Sequence, residues 1–120
     1  MYSLKVEGNF SSAHNLRGYK GKCEELHGHN WRVEITIKSA RLDKIGMVLD
    51  FKFLKKTLND CLEKLDHKYL NKIKDFSAAG KNPTSENIAE YIYNQLIGKI
   101  PQLSSVTVWE NSTSSATYEK

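Results

Sequence analysis

The sequence has little of what secreted, disulfide-rich and membrane proteins usually contain. Its 120 residues include only two cysteines and two prolines, which excludes a small scaffold held together by several disulfides. No apolar run approaches the roughly 20 residues that a transmembrane helix needs. The first residues lack the basic and then apolar pattern of a secretory signal. We therefore expect a cytoplasmic protein with a single folded domain over residues 1–120.

Arginine is also scarce, although the net charge is +4. Nucleic-acid readers usually carry arginine in clustered basic patches. The lysines here are scattered, which indicates a solvated surface, so we expect neither a nucleic acid nor a membrane as partner. Arg17, Lys20 and Lys22 are the exception. They lie beside the one stretch rich in cysteine and histidine, where they could receive an anionic substrate tail.

The hydrophobic pattern predicts an α+β domain with the element order β-β-α-α-β-β. Strands are expected at residues 2–14, 30–38, 104–110 and 115–118. Helices are expected at residues 51–65, after an Asp50 cap, and after Thr84 or Ser85, with a stop near Gly98 and Pro101. Segregated strands and helices indicate an antiparallel sheet with both helices on one face. Bare sheet edges are rare, so we expect oligomerisation through them.

The clearest functional pattern is His27-Gly28-His29 at the start of the second strand. Residues i and i+2 of a strand point to the same face, so both imidazoles can reach one ion. His14 ends the neighbouring strand and becomes the natural third ligand if the two strands pair antiparallel. Three imidazoles with an open fourth position are typical of a catalytic zinc, which polarises substrate oxygens. The sequence therefore predicts a zinc site.

Cys23 has two interpretations that the spacing does not separate. As a fourth ligand it would close the coordination shell, and the chain would be a non-enzymatic binding module with a structural zinc. Away from the metal it would act as a base or nucleophile. Asp66 and His67 could activate such a thiol as a relay, or could be a helix C-terminal cap and a surface histidine. Cys61 lies on an apolar helical stripe and is predicted to be an inert core residue.

Glu110 ends a predicted strand on the same face as Val106 and Val108. A carboxylate on an inward apolar face is either paired or functional. One carboxylate can accept the two parallel donors of a 2-amino-pyrimidinone edge, such as that of a pterin. The alternative is an edge-strand charge that points to solvent.

These features together resemble the 6-pyruvoyltetrahydropterin synthase / 6-carboxytetrahydropterin synthase family. The resemblance covers nearly the whole chain. It rests on motifs that occur in the family's order: Phe10-Ser11-Ser12-Ala13-His14, Cys23-Glu24-Glu25-Leu26-His27-Gly28-His29-Asn30, Leu49-Asp50-Phe51, Leu65-Asp66-His67-Lys68-Tyr69-Leu70-Asn71, Asn82-Pro83-Thr84-Ser85-Glu86-Asn87 and Trp109-Glu110.

The resemblance implies a tunnelling fold, in which three subunits close their sheets into a barrel and two trimers stack into a homohexamer. It also implies that the active sites lie between subunits. It implies a role for each site residue: zinc ligation for His14, His27 and His29, a catalytic triad for Cys23, Asp66 and His67, and pterin anchoring for Glu110, with Thr84, Ser85 and Glu86 lining the same pocket.

The three-residue spacer between Cys23 and His27 resembles that of the 6-carboxytetrahydropterin synthases of the queuosine pathway. Those enzymes convert 7,8-dihydroneopterin triphosphate to 6-carboxy-5,6,7,8-tetrahydropterin and release acetaldehyde and triphosphate. The animal pyruvoyl-forming enzymes carry a longer spacer. Glu24 leaves an alternative open, because a further branch uses a glutamate near this position to make 6-hydroxymethyl-7,8-dihydropterin for folate. Glu24 is thus an alternative acid or base.

Overall fold

The computed structural model describes residues 1–77 and 81–120. Its strands are β1 (Tyr2–His14), β2 (His27–Ser39), β3 (Lys68–Tyr69), β4 (Leu103–Asn111) and β5 (Ser114–Glu119). Its α-helices are α1 (Phe51–Glu63) and α2 (Ser85–Leu96). Short 3-10 turns occupy Lys22–Glu24, Leu70–Lys72 and Lys74–Phe76. The strands form one sheet in the order β3-β1-β2-β4-β5.

The core lies on one face of this sheet because apolar side chains alternate in register along its three long strands. β1 and β2 pair antiparallel from Tyr2 opposite Ser39 to His14 opposite His27. Within that ladder Ile35 stands between Val6 on β1 and Val106 on β4. All three side chains are buried. The other face carries polar and charged residues, as expected for a sheet covered on one side.

Both helices pack on the apolar face and begin at side-chain caps. Asp50 accepts a hydrogen bond from the Lys52 amide at the start of α1, and Thr84 accepts one from the Asn87 amide at the start of α2. Gly8 lets α1 approach the sheet closely, because a Cβ there would lie 2.8 Å from a Leu62 methyl group.

Burial raises the pKa of the Cys61 thiol on α1 to about 11, in keeping with an inert core residue. Neither described helix is long and apolar enough to cross a membrane.

The prediction of an α+β domain with two helices on one face of an antiparallel sheet is confirmed for the four long strands. Several boundaries differ from the prediction; the largest shifts are that β2 begins at His27 rather than residue 30 and that α1 ends at Glu63 rather than residue 65. The sheet also gains the short strand β3. β3 pairs parallel with β1, with Lys68 opposite Ser12. Two residues are too short to show strand alternation, so the sequence gives no sign of β3. The predicted loop 71–83 contains 3-10 turns, and residues 78–80 of it lie outside the described residues.

Candidate metal centre and adjoining cavity

The three predicted histidine ligands meet at one end of the sheet, on the face that carries the core. The β1–β2 pairing sets His14 opposite His27 and Ser12 opposite His29. All three imidazoles therefore project from the same face. Trp31 packs edge-on against His14 and His29, with ring centroids 4.9 and 5.2 Å apart. The site is thus a continuation of the hydrophobic core, with Trp31 as its floor.

Glu110 on β4 joins this histidine cluster. Its Oε1 atom lies 2.8 Å from His29 Nε2 and 3.5 Å from His14 Nε2. One ligand atom from each of His14, His27, His29 and Glu110 lies within 4.8 Å of the other three. Glu110 therefore turns toward the histidines, as its position on the face of Val106 and Val108 predicts, and the solvent-facing alternative is wrong.

Backbone carbonyls determine which nitrogen of two of these imidazoles carries the proton. His14 Nδ1 lies 2.7 Å from the Pro83 carbonyl oxygen, and His27 Nδ1 lies 2.8 Å from that of Glu25. A carbonyl oxygen can only accept, so each Nδ1 donates and each Nε2 of a neutral ring carries a lone pair. These two Nε2 atoms are only 3.0 Å apart. Two acceptors at that distance repel one another unless a cation binds both.

The third imidazole also presents an unsatisfied nitrogen to the cluster. His29 Nε2 is buried and has no aligned hydrogen-bond partner among the described residues, although Glu110 lies beside it. Burial lowers the pKa of both His14 and His29. They are therefore neutral at ordinary pH, which is the form that ligates metals. Three neutral imidazoles fit a divalent transition-metal ion, and the Glu110 carboxylate stands beside them.

A cavity of about 550 Å³ opens beside the cluster and is large enough for a small organic ligand. Its lining combines the cluster with the preceding loop and the end of β4: Lys22, Cys23, Glu25, Leu26, His27, His29, Glu110 and Asn111. Cys23 is half-buried, has a free thiol and is not one of the four clustered ligand residues. This placement favours a cysteine that faces a substrate over one that closes a structural zinc site.

Glu25 lines the cavity together with Cys23, whereas Glu24 is not among the lining residues. The 3-10 turn Lys22–Glu24 rotates successive side chains by about a third of a turn, so neighbours in sequence face different directions. Sequence reasoning missed Glu25 because it did not anticipate this turn. Glu25 also supplies the carbonyl that holds His27.

Asp66 and His67 form a pair at the outer edge of the sheet. Asp66 Oδ2 lies 3.0 Å from His67 Nδ1, and Asp66 Oδ1 accepts a 2.8 Å hydrogen bond from the Ser11 amide. That hydrogen bond is the main reason why the pKa of the Asp66 carboxyl is lowered. The His67 side chain is 84% exposed. None of the hydrogen bonds or cavity contacts between described residues joins this pair to Cys23, so the triad stays a prediction.

The predicted pocket residues Thr84, Ser85 and Glu86 lie at the start of α2, where Thr84 caps the helix. They stand next to Pro83, whose carbonyl holds His14, but they do not line the cavity of Cys23. A role for them in pterin binding therefore stays a prediction.

The three basic residues of the loop, Arg17, Lys20 and Lys22, have different surroundings in the structure. The Arg17 guanidinium donates hydrogen bonds to the Phe76 and Ser77 carbonyls, at 2.7 and 3.0 Å. Arg17 therefore ties two loops together. Lys22 is the cation of this cluster that lines the cavity, and Lys20 does not reach it.

Comparison with known proteins identifies the family of the chain. The family model described as 6-pyruvoyl tetrahydropterin synthase matches residues 3–120. The chain belongs to this family. A Synechocystis relative named 6-carboxy-5,6,7,8-tetrahydropterin synthase is 40% identical, and the match covers 98% of this chain and 93% of that protein.

Two further similar proteins carry other names. A Pyrococcus furiosus relative named dihydroneopterin monophosphate aldolase is 36% identical over 87% of this chain and 85% of its own length. The solved 6-pyruvoyl tetrahydropterin synthase of Caenorhabditis elegans has a TM-score of 0.89 at 29% identity, with coverage of 99% and 95%. The predicted family and tunnelling-fold class are confirmed, whereas closure of a barrel between subunits stays a prediction.

The metal site generates the first testable prediction. Wild-type protein should bind about one divalent transition-metal ion per chain. His27→Ala should weaken that binding by more than the roughly 10–100-fold that loss of an outer supporting partner costs. Titration with cobalt(II), followed by its visible absorption, measures the affinity. His67→Ala is the matched control, because it removes a histidine outside the cluster. Unchanged cobalt affinity in His27→Ala would refute the site.

Proposed function

We propose that the chain is a zinc-dependent 6-carboxy-5,6,7,8-tetrahydropterin synthase of queuosine biosynthesis. Its substrate would be 7,8-dihydroneopterin triphosphate, and its other products acetaldehyde and triphosphate. The observation that carries the proposal is the cavity in which Cys23, outside the ligand set, faces the cluster of His27, His29 and Glu110. The name of the Synechocystis relative and the short spacer between Cys23 and His27 support the choice of product.

The donor set and its open side suit a catalytic zinc. His14, His27 and His29 would hold the ion, and the cavity beside them leaves access for substrate. When bound, zinc would polarise the side-chain oxygens of the substrate. The Pro83 and Glu25 carbonyls keep the imidazoles of His14 and His27 in the tautomer that ligation requires.

Cys23 is the group we assign to proton transfer between the pterin ring and its side chain. It lines the cavity together with His27 and His29, so its thiol and the polarised oxygens would act on the same part of the substrate. Glu110 is assigned to the pterin ring, whose two parallel donors it can accept. Its position next to His29 would place the ring against the metal centre.

The partners of Cys23 would come from a neighbouring copy of the chain. Asp66 and His67 lie at the outer edge of β1, which pairs with β3 only at Ser12 and Ala13. The backbone of Tyr2–Ser11 therefore has no strand partner on that side among the described residues. β5 is the opposite edge of the sheet and runs antiparallel to β1. Pairing of β1 from one copy with β5 of the next would bring His67 toward the end of β4 that borders the Cys23 cavity.

The rival within the family is an aldolase that yields 6-hydroxymethyl-7,8-dihydropterin. It is favoured by the Pyrococcus furiosus relative, named dihydroneopterin monophosphate aldolase, and by Glu24 directly after Cys23. The cavity argues against Glu24 as the working base, since Glu25 and Cys23 line it and Glu24 does not. A structural-zinc module is the less favoured reading, because Cys23 stands outside the ligand cluster.

Identification of the pterin product tests the proposed function. Wild-type enzyme with zinc should turn dihydroneopterin triphosphate into 6-carboxytetrahydropterin and acetaldehyde. Cys23→Ala should abolish this turnover and keep its zinc, because the thiol moves protons and does not ligate. Glu24→Ala is the matched control on the same turn and should retain the product. Chromatography of the pterins gives the answer; 6-hydroxymethyl-7,8-dihydropterin as the main product, lost in Glu24→Ala, would overturn the proposal.

Mixing two inactive variants tests the shared active site. Cys23→Ala and His67→Ala should each be inactive alone, because each lacks one member of the triad. When subunits are unfolded together and refolded as mixed oligomers, about a quarter of the sites should pair an intact Cys23 with an intact His67. Activity should therefore return to a corresponding fraction of wild type. Mixed oligomers without activity would show that the triad forms within one chain or not at all.

Lys22 generates a prediction about the triphosphate tail. It is the cation of the basic cluster that lines a cavity also bordered by Glu25 and Glu110, whose charges oppose an anionic substrate. Lys22→Glu should raise KM for dihydroneopterin triphosphate about tenfold or more, because attraction becomes repulsion. The control Lys20→Glu changes the net charge equally outside the lining. Equal effects of the two variants on KM would assign the effect to overall charge.

A further inference from the structure

The segment that follows His14 is held by two asparagine side chains. The Leu16 amide pairs with the Cys23 carbonyl. Asn71 accepts from the Asn15 amide and donates to the Asn15 carbonyl, at 3.0 and 2.9 Å. Asn82 does the same for Arg17, at 3.2 and 2.8 Å. Each side-chain amide satisfies both backbone groups of one residue, as the backbone of a neighbouring strand would.

Asn82 differs from Asn71 in what lies next to it along the chain. The residue after Asn82 is the buried Pro83, whose carbonyl accepts from His14 Nδ1 at 2.7 Å. The Asn82 carbonyl in turn accepts from the side chain of Asn87 on α2, at 2.9 Å. The Asn82–Pro83 turn is therefore fastened to α2 on one side and to the segment after His14 on the other.

We propose that Asn82 is a positioning residue of the metal centre. By clamping Arg17 it holds the Pro83 carbonyl against His14 Nδ1, which keeps His14 Nε2 deprotonated and aimed at the other ligands. The inference rests on the metal site of the proposed function. It assigns the Asn82-Pro83-Thr84 segment a role in orienting a metal ligand, which is distinct from the predicted role of Thr84 in lining the pterin pocket. Partners that orient a ligating imidazole in this way commonly set metal affinity.

A metal titration with two matched asparagine variants tests the inference. Asn82→Ala should weaken zinc binding, measured by competition with a chelator, by about 10–100-fold. Asn71→Ala removes the same kind of two-bond clamp but leaves the turn with Pro83 intact. It should lower the melting temperature of the metal-free protein and keep zinc affinity within about threefold of wild type. Equal loss of zinc affinity in both variants would reduce Asn82 to a general support of the loop.

A second variant and a spectroscopic signal keep the test independent of folding. Asn82→Asp retains the acceptor for the Arg17 amide but sets a carboxylate oxygen against the Arg17 carbonyl in place of the donor, so its zinc affinity should also fall. In the metal-free protein, nitrogen-15 NMR should show His14 protonated at Nδ1 in wild type and in Asn71→Ala, and a mixture of tautomers in the Asn82 variants. An unchanged tautomer together with unchanged zinc affinity would overturn the inference.

These measurements also separate this inference from the proposed function, because metal binding and tautomer state require no pterin. Wild-type protein that binds zinc tightly, responds to Asn82→Ala as expected and yet forms no carboxypterin would refute the proposed activity. The positioning role of Asn82 would stand in that case.

Discussion

The antiparallel pairing of β1 with β2 is the constraint on which both the core and the metal centre depend. A single register places Val6 opposite Ile35 and His14 opposite His27. Slipping that register by one residue would turn every side chain of one strand to the other face. The buried apolar positions thus fix the register, and the register fixes the histidines. The ligand cluster follows from the same alternation that makes the core, and no separate folding signal is needed for it.

Building the metal centre as a continuation of the hydrophobic core has an energetic cost. Burial lowers the pKa of His14 and of His29 and so favours their neutral forms. It also leaves His29 Nε2 without an aligned hydrogen-bond partner among the described residues and sets the Nε2 atoms of His14 and His27 3.0 Å apart. An unsatisfied buried polar group costs roughly 1–3 kcal/mol. The folded chain tolerates this destabilisation because the pairing of β1 with β2 and the carbonyls of Pro83 and Glu25 hold the imidazole rings in place. A bound cation would relieve it, so ligand binding and stability are coupled at this site.

The sequence predicts those parts of the fold and site that depend on periodicity. Alternation predicts the long strands, the shared face of His27 and His29, and the inward direction of Glu110. What it misses depends on contacts between distant residues without a repeating pattern. The strand β3 exists because Ser11 and Ser12 meet Asp66 and Lys68, and Pro83 reaches His14 across 69 residues. Glu25 rather than Glu24 lines the cavity because of the 3-10 turn Lys22–Glu24. A turn this short leaves no hydrophobic pattern in the sequence from which it could be predicted.

Cys23 has no described contact with Asp66 or His67, and this is the observation that connects the fold to the proposed oligomer. The thiol borders the ends of β2 and β4, whereas the pair is fastened through Ser11 to the far edge of the sheet. His14, the start of β2 and the end of β4 all lie at the same end of the sheet. A ring of copies joined antiparallel through β1 and β5 would keep these ends together around one rim. In that arrangement the β1 edge that exposes His67 would lie beside β5 of the next copy, near the end of β4 that borders the Cys23 cavity, so the proposed interface and the proposed active site would form together.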